Sequence, residues 1–380
     1  MVQNVLSGGS QNGDVNMNNK PRKNVLGFQP YIPGKPIEEV KREYKLKQVI
    51  KIASNENPLG ASPAAVSGIK KVLKDINIYP DGNCFKLKER ISAIYGVGNN
   101  QIIFGNGTDE IIELAAKTFL EPDDEIVVSE HAFIRYKMAG DLMNCRVVEI
   151  PMKNYKHDLK AMASAVTEKT KIVFIANPNN PTGTYNTKKE FDNFFSKLLT
   201  ANRQPLTFID EAYAEYVVEK DYPRGIDFLK KGRNVIFSRT FSKIYGLAGL
   251  RVGYCVSDYE TISFMERIRP PFNVSSVAQA GACCALDDSK FLTKSKTLVN
   301  EQKKYLYGEL KKTGFDYVPT VANFILVDVK RSGQEVFEKL LKKGVIVRAM
   351  AEYGFDNFIR VTIGTASENR KFILEVSEIS

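Results

Sequence analysis

Between about residues 101 and 256 the chain repeats one pattern: a short apolar run rich in β-branched residues, then a longer stretch whose apolar positions fall at helical spacing. Ile102, Ile103 and Phe104 lead into Gly105-Asn106-Gly107-Thr108-Asp109, after which positions 111, 112, 115, 116, 119 and 120 are apolar, which predicts a helix. Pro122-Asp123-Asp124 ends it, and a new strand is expected from Glu125. Further strands are expected at 146–150, 171–176, 206–209, 234–237 and 251–256. Such alternation calls for an α/β domain with a mostly parallel sheet. The unbroken apolar run over 172–176 fits a strand buried on both faces. Past residue 287 the character changes to a long amphipathic helix over 288–313, a strand over 323–329, a helix over 333–343 and strands at 345–348 and 358–364. That is a smaller α+β unit, and no solenoid-type repeat is visible.

Composition narrows the functional classes. With 380 residues, 43% of them apolar and 26% charged, the chain has material for two packed units. The longest uncharged run, 270–286, contains Asn273 and Gln279 and does not read as a membrane span. Lys and Arg number 54 against 44 Asp and Glu, a net charge of +10, but they are scattered rather than gathered into a nucleic-acid-binding stripe. Five cysteines without a CxxC pair read as reduced intracellular thiols, and the two histidines, His131 and His157, have no metal-ligand spacing. Residues 1–30 read as a flexible Asn/Gly/Ser-rich arm without the apolar core of a signal peptide. A soluble, cytoplasmic protein with no nucleic-acid or membrane partner is expected.

Ligands of α/β sheets bind at the carboxyl ends of the strands. Three such ends carry unusual polar residues: Asn180 within Asn177-Pro178-Asn179-Asn180-Pro181-Thr182-Gly183, Asp210 after Leu206-Thr207-Phe208-Ile209, and Lys243 after Thr240-Phe241-Ser242. They lie 30 and 33 residues apart, each about one strand–helix–strand unit, so one rim of the sheet would collect all three. A lone lysine is ordinarily a surface cation and a lone aspartate at a strand end ordinarily a turn residue. Together they point to pyridoxal 5'-phosphate. A desolvated Lys243 amine can condense with an aldehyde. Asp210 would keep a pyridine nitrogen protonated, making the ring an electron sink, and Asn180 and Tyr213 could donate to its phenolate oxygen. Gly107, Thr108 and Asp109 at a strand-to-helix junction offer free amides to an anion. Thr240, Ser242 and Arg251 add hydroxyls and a guanidinium able to grip phosphate.

These blocks resemble the fold-type I pyridoxal-phosphate aminotransferases and, within them, the histidinol-phosphate aminotransferase family. The resemblance runs from about residue 27 to the C-terminus. It includes Pro30-Tyr31-Ile32-Pro33-Gly34-Lys35-Pro36, Ser54-Asn55-Glu56-Asn57-Pro58-Leu59-Gly60, Tyr79-Pro80-Asp81-Gly82 and Phe358-Ile359-Arg360-Val361-Thr362-Ile363-Gly364-Thr365. It implies a large three-layer cofactor domain over 55–273 and a smaller α+β domain from 31–54 and 274–380. It also implies Lys243 as the lysine bonded to the cofactor and as general base and acid. Tyr79 would reach the cofactor phosphate of a partner subunit in a homodimer. Arg360 would clamp a substrate carboxylate and Arg348 a substrate phosphate, with Tyr31 and Asn57 nearby. The family usually stacks a tyrosine on the pyridine ring. Here the stretch reads Glu130-His131-Ala132-Phe133-Ile134-Arg135-Tyr136, and Phe133 takes that role.

The implied reaction is transamination between histidinol phosphate and 2-oxoglutarate in histidine biosynthesis. An aromatic amino-acid aminotransferase and a decarboxylase of a phosphorylated amino acid share similar blocks. A regulatory binding module is a third class, but residues 1–30 are too short and polar for a helix-turn-helix.

Overall fold

The computed structural model describes residues 21–28 and 34–379, in two units, Met1–Tyr31 and Ile32–Ser380. The described part of the first unit holds one short 3-10 helix, Lys23–Gly27. The remainder of the arm expected over 1–30, and Tyr31, lie outside the described residues.

Among the described residues the second unit has thirteen strands: β1 (Ile50–Lys51), β2 (Ile102–Gly105), β3 (Glu125–Ser129), β4 (Arg146–Ile150), β5 (Thr170–Ala176), β6 (Leu206–Asp210), β7 (Val235–Thr240), β8 (Gly253–Val256), β9 (Asp316–Val318), β10 (Phe324–Asp328), β11 (Val345–Ile346), β12 (Arg348–Ala349) and β13 (Phe358–Thr362). Seven form one sheet in the order β2-β8-β7-β6-β5-β3-β4. Only β8 runs against its neighbours.

Alternate residues of the central strands feed two apolar layers. From β5, Val173 and Ile175 pack with Phe191, Phe194 and Phe228, whereas Ile172 and Phe174 pack with Ile111, Ala115 and Met265. A strand covered on both faces must be apolar throughout, which is why its sequence shows a run and not an alternation. The helix Gly107–Phe119 starts directly after β2 and lays its buried Ile111, Ile112, Ala115 and Ala116 onto the sheet.

A second, antiparallel sheet has the order β12-β13-β10-β9. Ile325, Val327, Ile359 and Val361 share a core there with Val299, Leu306 and Leu310 of the helix Ser289–Lys312 and with Phe372 and Val376 of the helix Ala366–Ser377. The long helix begins where Asp288 accepts a hydrogen bond from the Phe291 amide, an N-cap. The strand expected at 345–348 is two strands. β11 pairs in parallel with β1, and the chain then changes sheet, so that β12 pairs antiparallel with β13. The apolar run Val345-Ile346-Val347 leads straight into Arg348 with no turn residue between the two, so only tertiary pairing separates them. Among the described residues no helix is long and apolar enough to cross a membrane.

Candidate active site

β2, β5, β6 and β7 all end at one edge of the large sheet, and antiparallel β8 begins there, with Gly253 paired to both Gly105 and Thr240. That reversal puts Arg251, two residues before β8, beside the ends of β2 and β7. A cavity at this edge is lined by Thr108, Asp109, Phe133, Tyr136, Asn180, Asp210, Tyr213, Thr240, Ser242, Lys243 and Arg251. A wider groove at the opposite ends of the strands carries Lys171, Arg203 and Arg233 against Glu168, Asp258 and Glu260. It gathers none of the carboxyl ends of the parallel strands, only that of antiparallel β8, so the smaller cavity is the catalytic candidate.

Asp210 is buried at its base. Its carboxylate accepts hydrogen bonds from the Tyr136 hydroxyl (2.7 Å), the Ala212 amide (3.1 Å) and the Ser238 hydroxyl (3.2 Å). Burial pushes the carboxyl above its usual range, while these donors hold it partly back. A positive ring nitrogen at this point would supply the missing countercharge. Tyr136 is itself braced, its ring stacked on Phe174 at 5.0 Å. Phe133 lines the same wall and meets Tyr136 edge-on at 5.8 Å.

The Lys243 amine donates to the Ser54 carbonyl (3.3 Å) and lies 5.6 Å from the centre of the Tyr213 ring. The Tyr213 oxygen accepts from Asn55 Nδ2 at 3.0 Å.

The anion cradle is made where Gly107 opens its helix with φ of +72°. A Cβ there would sit 2.4 Å from Arg251 Nη2, so only glycine lets the guanidinium close over the helix N-terminus. Arg251 is also left-handed, with φ of 50°, an uncommon state for a side chain of this size. Its Nη2 donates to Asp109 (3.1 Å) and its Nη1 to the Ser242 hydroxyl (3.3 Å). Free amides, a hydroxyl and a guanidinium at one point fit a phosphate. Together with the desolvated Asp210 and the lysine, the residues present fit pyridoxal 5'-phosphate.

Arg360, on β13, is buried. Its Nη1 donates to Asn180 Oδ1 (2.6 Å) and its Nη2 to the Ala53 carbonyl (2.9 Å), while Nε has no hydrogen-bond partner among the described residues. Arg348 is its direct cross-strand partner, so both side chains share one face of the sheet. Arg348 donates through Nε and Nη2 to Glu352.

Five expected residues are not in the cavity lining: Gly107, Arg348, Arg360, Asn57 and Tyr79. Asn57 is tied by Nδ2 to the Ile244 carbonyl (2.7 Å) and the Ser295 hydroxyl (2.9 Å). Tyr79 is 79% exposed, with its ring stacked on Phe272 at 4.8 Å. Tyr31 is outside the described residues. Sequence reasoning gave no role to Tyr136, Ser238 or Asn55. Ser238 is the cross-strand neighbour of Asp210, and only strand register could have revealed it.

Residues 47–376 match the family described as aminotransferase class I and II. The histidinol-phosphate aminotransferase of Moorella thermoacetica is 49% identical over 361 residues, spanning 95% of this chain and 93% of its own. Histidinol-phosphate aminotransferase 2 of Carboxydothermus hydrogenoformans is 44% identical over 359 residues, 94% of this chain and 98% of its own. The fold is that of the crystal structure of a Sinorhizobium meliloti histidinol-phosphate aminotransferase in complex with pyridoxal-5'-phosphate, with a TM-score of 0.86 at 24% identity over 95% of this chain and 97% of that one.

Proposed function

The chain belongs to the class I and II aminotransferases, and from that premise we propose that it carries the amino group of L-histidinol phosphate to 2-oxoglutarate, yielding imidazole-acetol phosphate and glutamate in histidine biosynthesis. Pyridoxal 5'-phosphate is the cofactor, and when bound it supplies an aldehyde carbon to receive the amino group and a ring that accepts electron density from the substrate carbon. Lys243 Nζ holds the cofactor between turnovers and, once displaced by the substrate amine, takes and returns the proton at the reacting carbon. Asp210 carries the negative charge opposite the ring nitrogen. Gly107, Thr108, Thr240, Ser242 and Arg251 bind the cofactor phosphate, with Asp109 orienting Arg251. Phe133 covers the ring face, and Asn180 and Tyr213 direct hydrogen bonds to its oxygen.

The observation that carries the substrate assignment is the Arg348–Arg360 cross-strand pair. Histidinol phosphate brings a phosphate and no carboxylate, whereas glutamate brings two carboxylates. Two guanidiniums on one sheet face serve both donors, because each anion of either substrate finds a cation. Arg360 would take the carboxylate nearest the reacting carbon and Arg348 the distal anion, with Tyr31 and Asn57 as the further substrate-binding residues that the family resemblance implies. The large sheet then belongs to a cofactor domain over 55–273, and the arginine-bearing sheet to a substrate domain from 31–54 and 274–380.

The enzyme is proposed to act as a cytoplasmic homodimer, with Tyr79 reaching the partner's cofactor phosphate. Leu73, Ile76, Ile78 and Phe85 are exposed around Tyr79, and an apolar surface of this kind is better explained by a covered interface than by solvent.

The test is a panel of amino donors in single turnover, read by bleaching of the cofactor absorbance. Histidinol phosphate should react fastest, ahead of phenylalanine, tyrosine and phosphothreonine. Arg348→Ala should raise KM for histidinol phosphate more than tenfold, since losing a charged anchor that the bound substrate covers costs about 2–5 kcal/mol. KM for phenylalanine should change little. Equal effects on the two donors would remove Arg348 from phosphate binding.

A further inference from the structure

The bond from Asn55, in the loop after β1, to Tyr213 reaches the cofactor cavity, and its direction is set by the network behind it. Asn55 is 1% exposed and holds a left-handed φ of 57°. Its backbone amide donates to Thr362 Oγ1 at 2.8 Å. The Thr362 hydroxyl, having accepted that bond, donates its own proton to Asn55 Oδ1 at 3.2 Å. The Asn55 carbonyl is held by Asn323 Nδ2 at 3.0 Å. With Oδ1 turned to Thr362, the amide must present Nδ2 to Tyr213, and it does so at 3.0 Å.

A phenol has one proton to give and room to accept. Because Asn55 donates, the Tyr213 oxygen accepts and its own proton stays available. Reversing the amide would take that proton and leave the buried Thr362 hydroxyl without an acceptor among the described residues. Resting on the cofactor reading above, we propose that Asn55, locked by Thr362, is a positioning residue that reserves the Tyr213 proton for the ring oxygen of the cofactor. A second consequence concerns coupling. Thr362 lies two residues after Arg360 on β13, so a shift of the substrate arginine's strand would be felt at the hydroxyl facing the cofactor.

The readout is the pH at which the loaded enzyme changes its visible absorption, measured without substrate. A donor on the ring oxygen draws off negative charge that would otherwise retain a proton on the nearby nitrogen. Losing the donor therefore moves the transition to higher pH. Tyr213→Phe should raise it by about one pH unit, as expected for one charge-assisted hydrogen bond. Asn55→Asp offers only acceptors to Tyr213, takes its proton, and should match Tyr213→Phe. Asn55→Gly keeps the left-handed backbone but removes the amide, and Thr362→Val removes the lock. Both should shift the transition in the same direction by less.

Circular dichroism establishes folding for each variant. If Asn55→Asp fails to fold, the Gly and Val variants decide the matter alone. Transitions in the Asn55 and Thr362 variants that coincide with wild type, while Tyr213→Phe moves, would overturn the proposal. A wild-type protein showing no visible band with pyridoxal 5'-phosphate would instead overturn the cofactor reading beneath it.

Discussion

His157 is buried beneath the Asn-rich loop, donating Nε2 to the Ala176 carbonyl at 2.9 Å, and its own carbonyl accepts from Asn186 Nδ2 at 2.9 Å. Nδ1 has no hydrogen-bond partner among the described residues, and burial pushes the imidazole down to about 4. The unfolded chain takes up this proton near pH 6.5 and the folded chain only near 4, so stability falls as pH drops through that window. Between pH 7 and pH 5 the loss from this one group is about 2 kcal/mol. His157→Gln should flatten the pH dependence of the urea midpoint over that range, and an unchanged slope would show that His157 is not the group responsible. At this scale legibility was uneven. Lys243, Asp210 and Asn180 stood out by their joint spacing, each one strand–helix–strand unit from the next and at or just past a strand's carboxyl end. Tyr136 and Asn55 did not, since their partners lie 74 and 158 residues away in sequence.

At the scale of elements, the ends of β6 and β7 are pinned by ions. Arg239 donates from Nε to Glu211 (2.7 Å) and from Nη1 to Glu215 (2.9 Å), and Glu211 also accepts the Gly225 amide at 2.6 Å. Glu211 follows Asp210 directly, so this buried cluster fixes the segment that carries the carboxylate to the cavity. Arg239→Ala would strand Glu211 without its countercharge and should cost about 3–5 kcal/mol of stability. Denaturant titration measures it, and a loss under 1 kcal/mol would mean that water or a neighbour neutralises Glu211. The large-sheet strands were readable from their apolar runs, because burial on both faces leaves little choice of residue. The break between β11 and β12 was not, because Val345 to Val347 is continuously apolar and the change of sheet depends on β1, nearly the whole unit away in sequence. The expected strand start at 251 also moved to 253, where the left-handed Arg251 ends and pairing can begin.

For the whole molecule, the proposed homodimer puts two chains in each working unit. If Tyr79 completes the partner's phosphate site, a Lys243→Ala subunit and a Tyr79→Ala subunit can share one intact site, the first giving Tyr79 and the second Lys243. Mixing the two inactive homodimers after gentle dissociation should restore up to about a quarter of wild-type activity, as random pairing in a two-fold dimer allows. No recovery in verified hybrids would remove Tyr79 from the partner's site. Everything in the account converges on the covalent attachment of the cofactor at one amine. Borohydride reduction of the loaded protein followed by peptide mass spectrometry tests that most directly. The pyridoxyl label should fall on the peptide containing Thr240-Phe241-Ser242-Lys243 and be absent from Lys243→Ala, whereas a stoichiometric label on any other lysine would contradict the account.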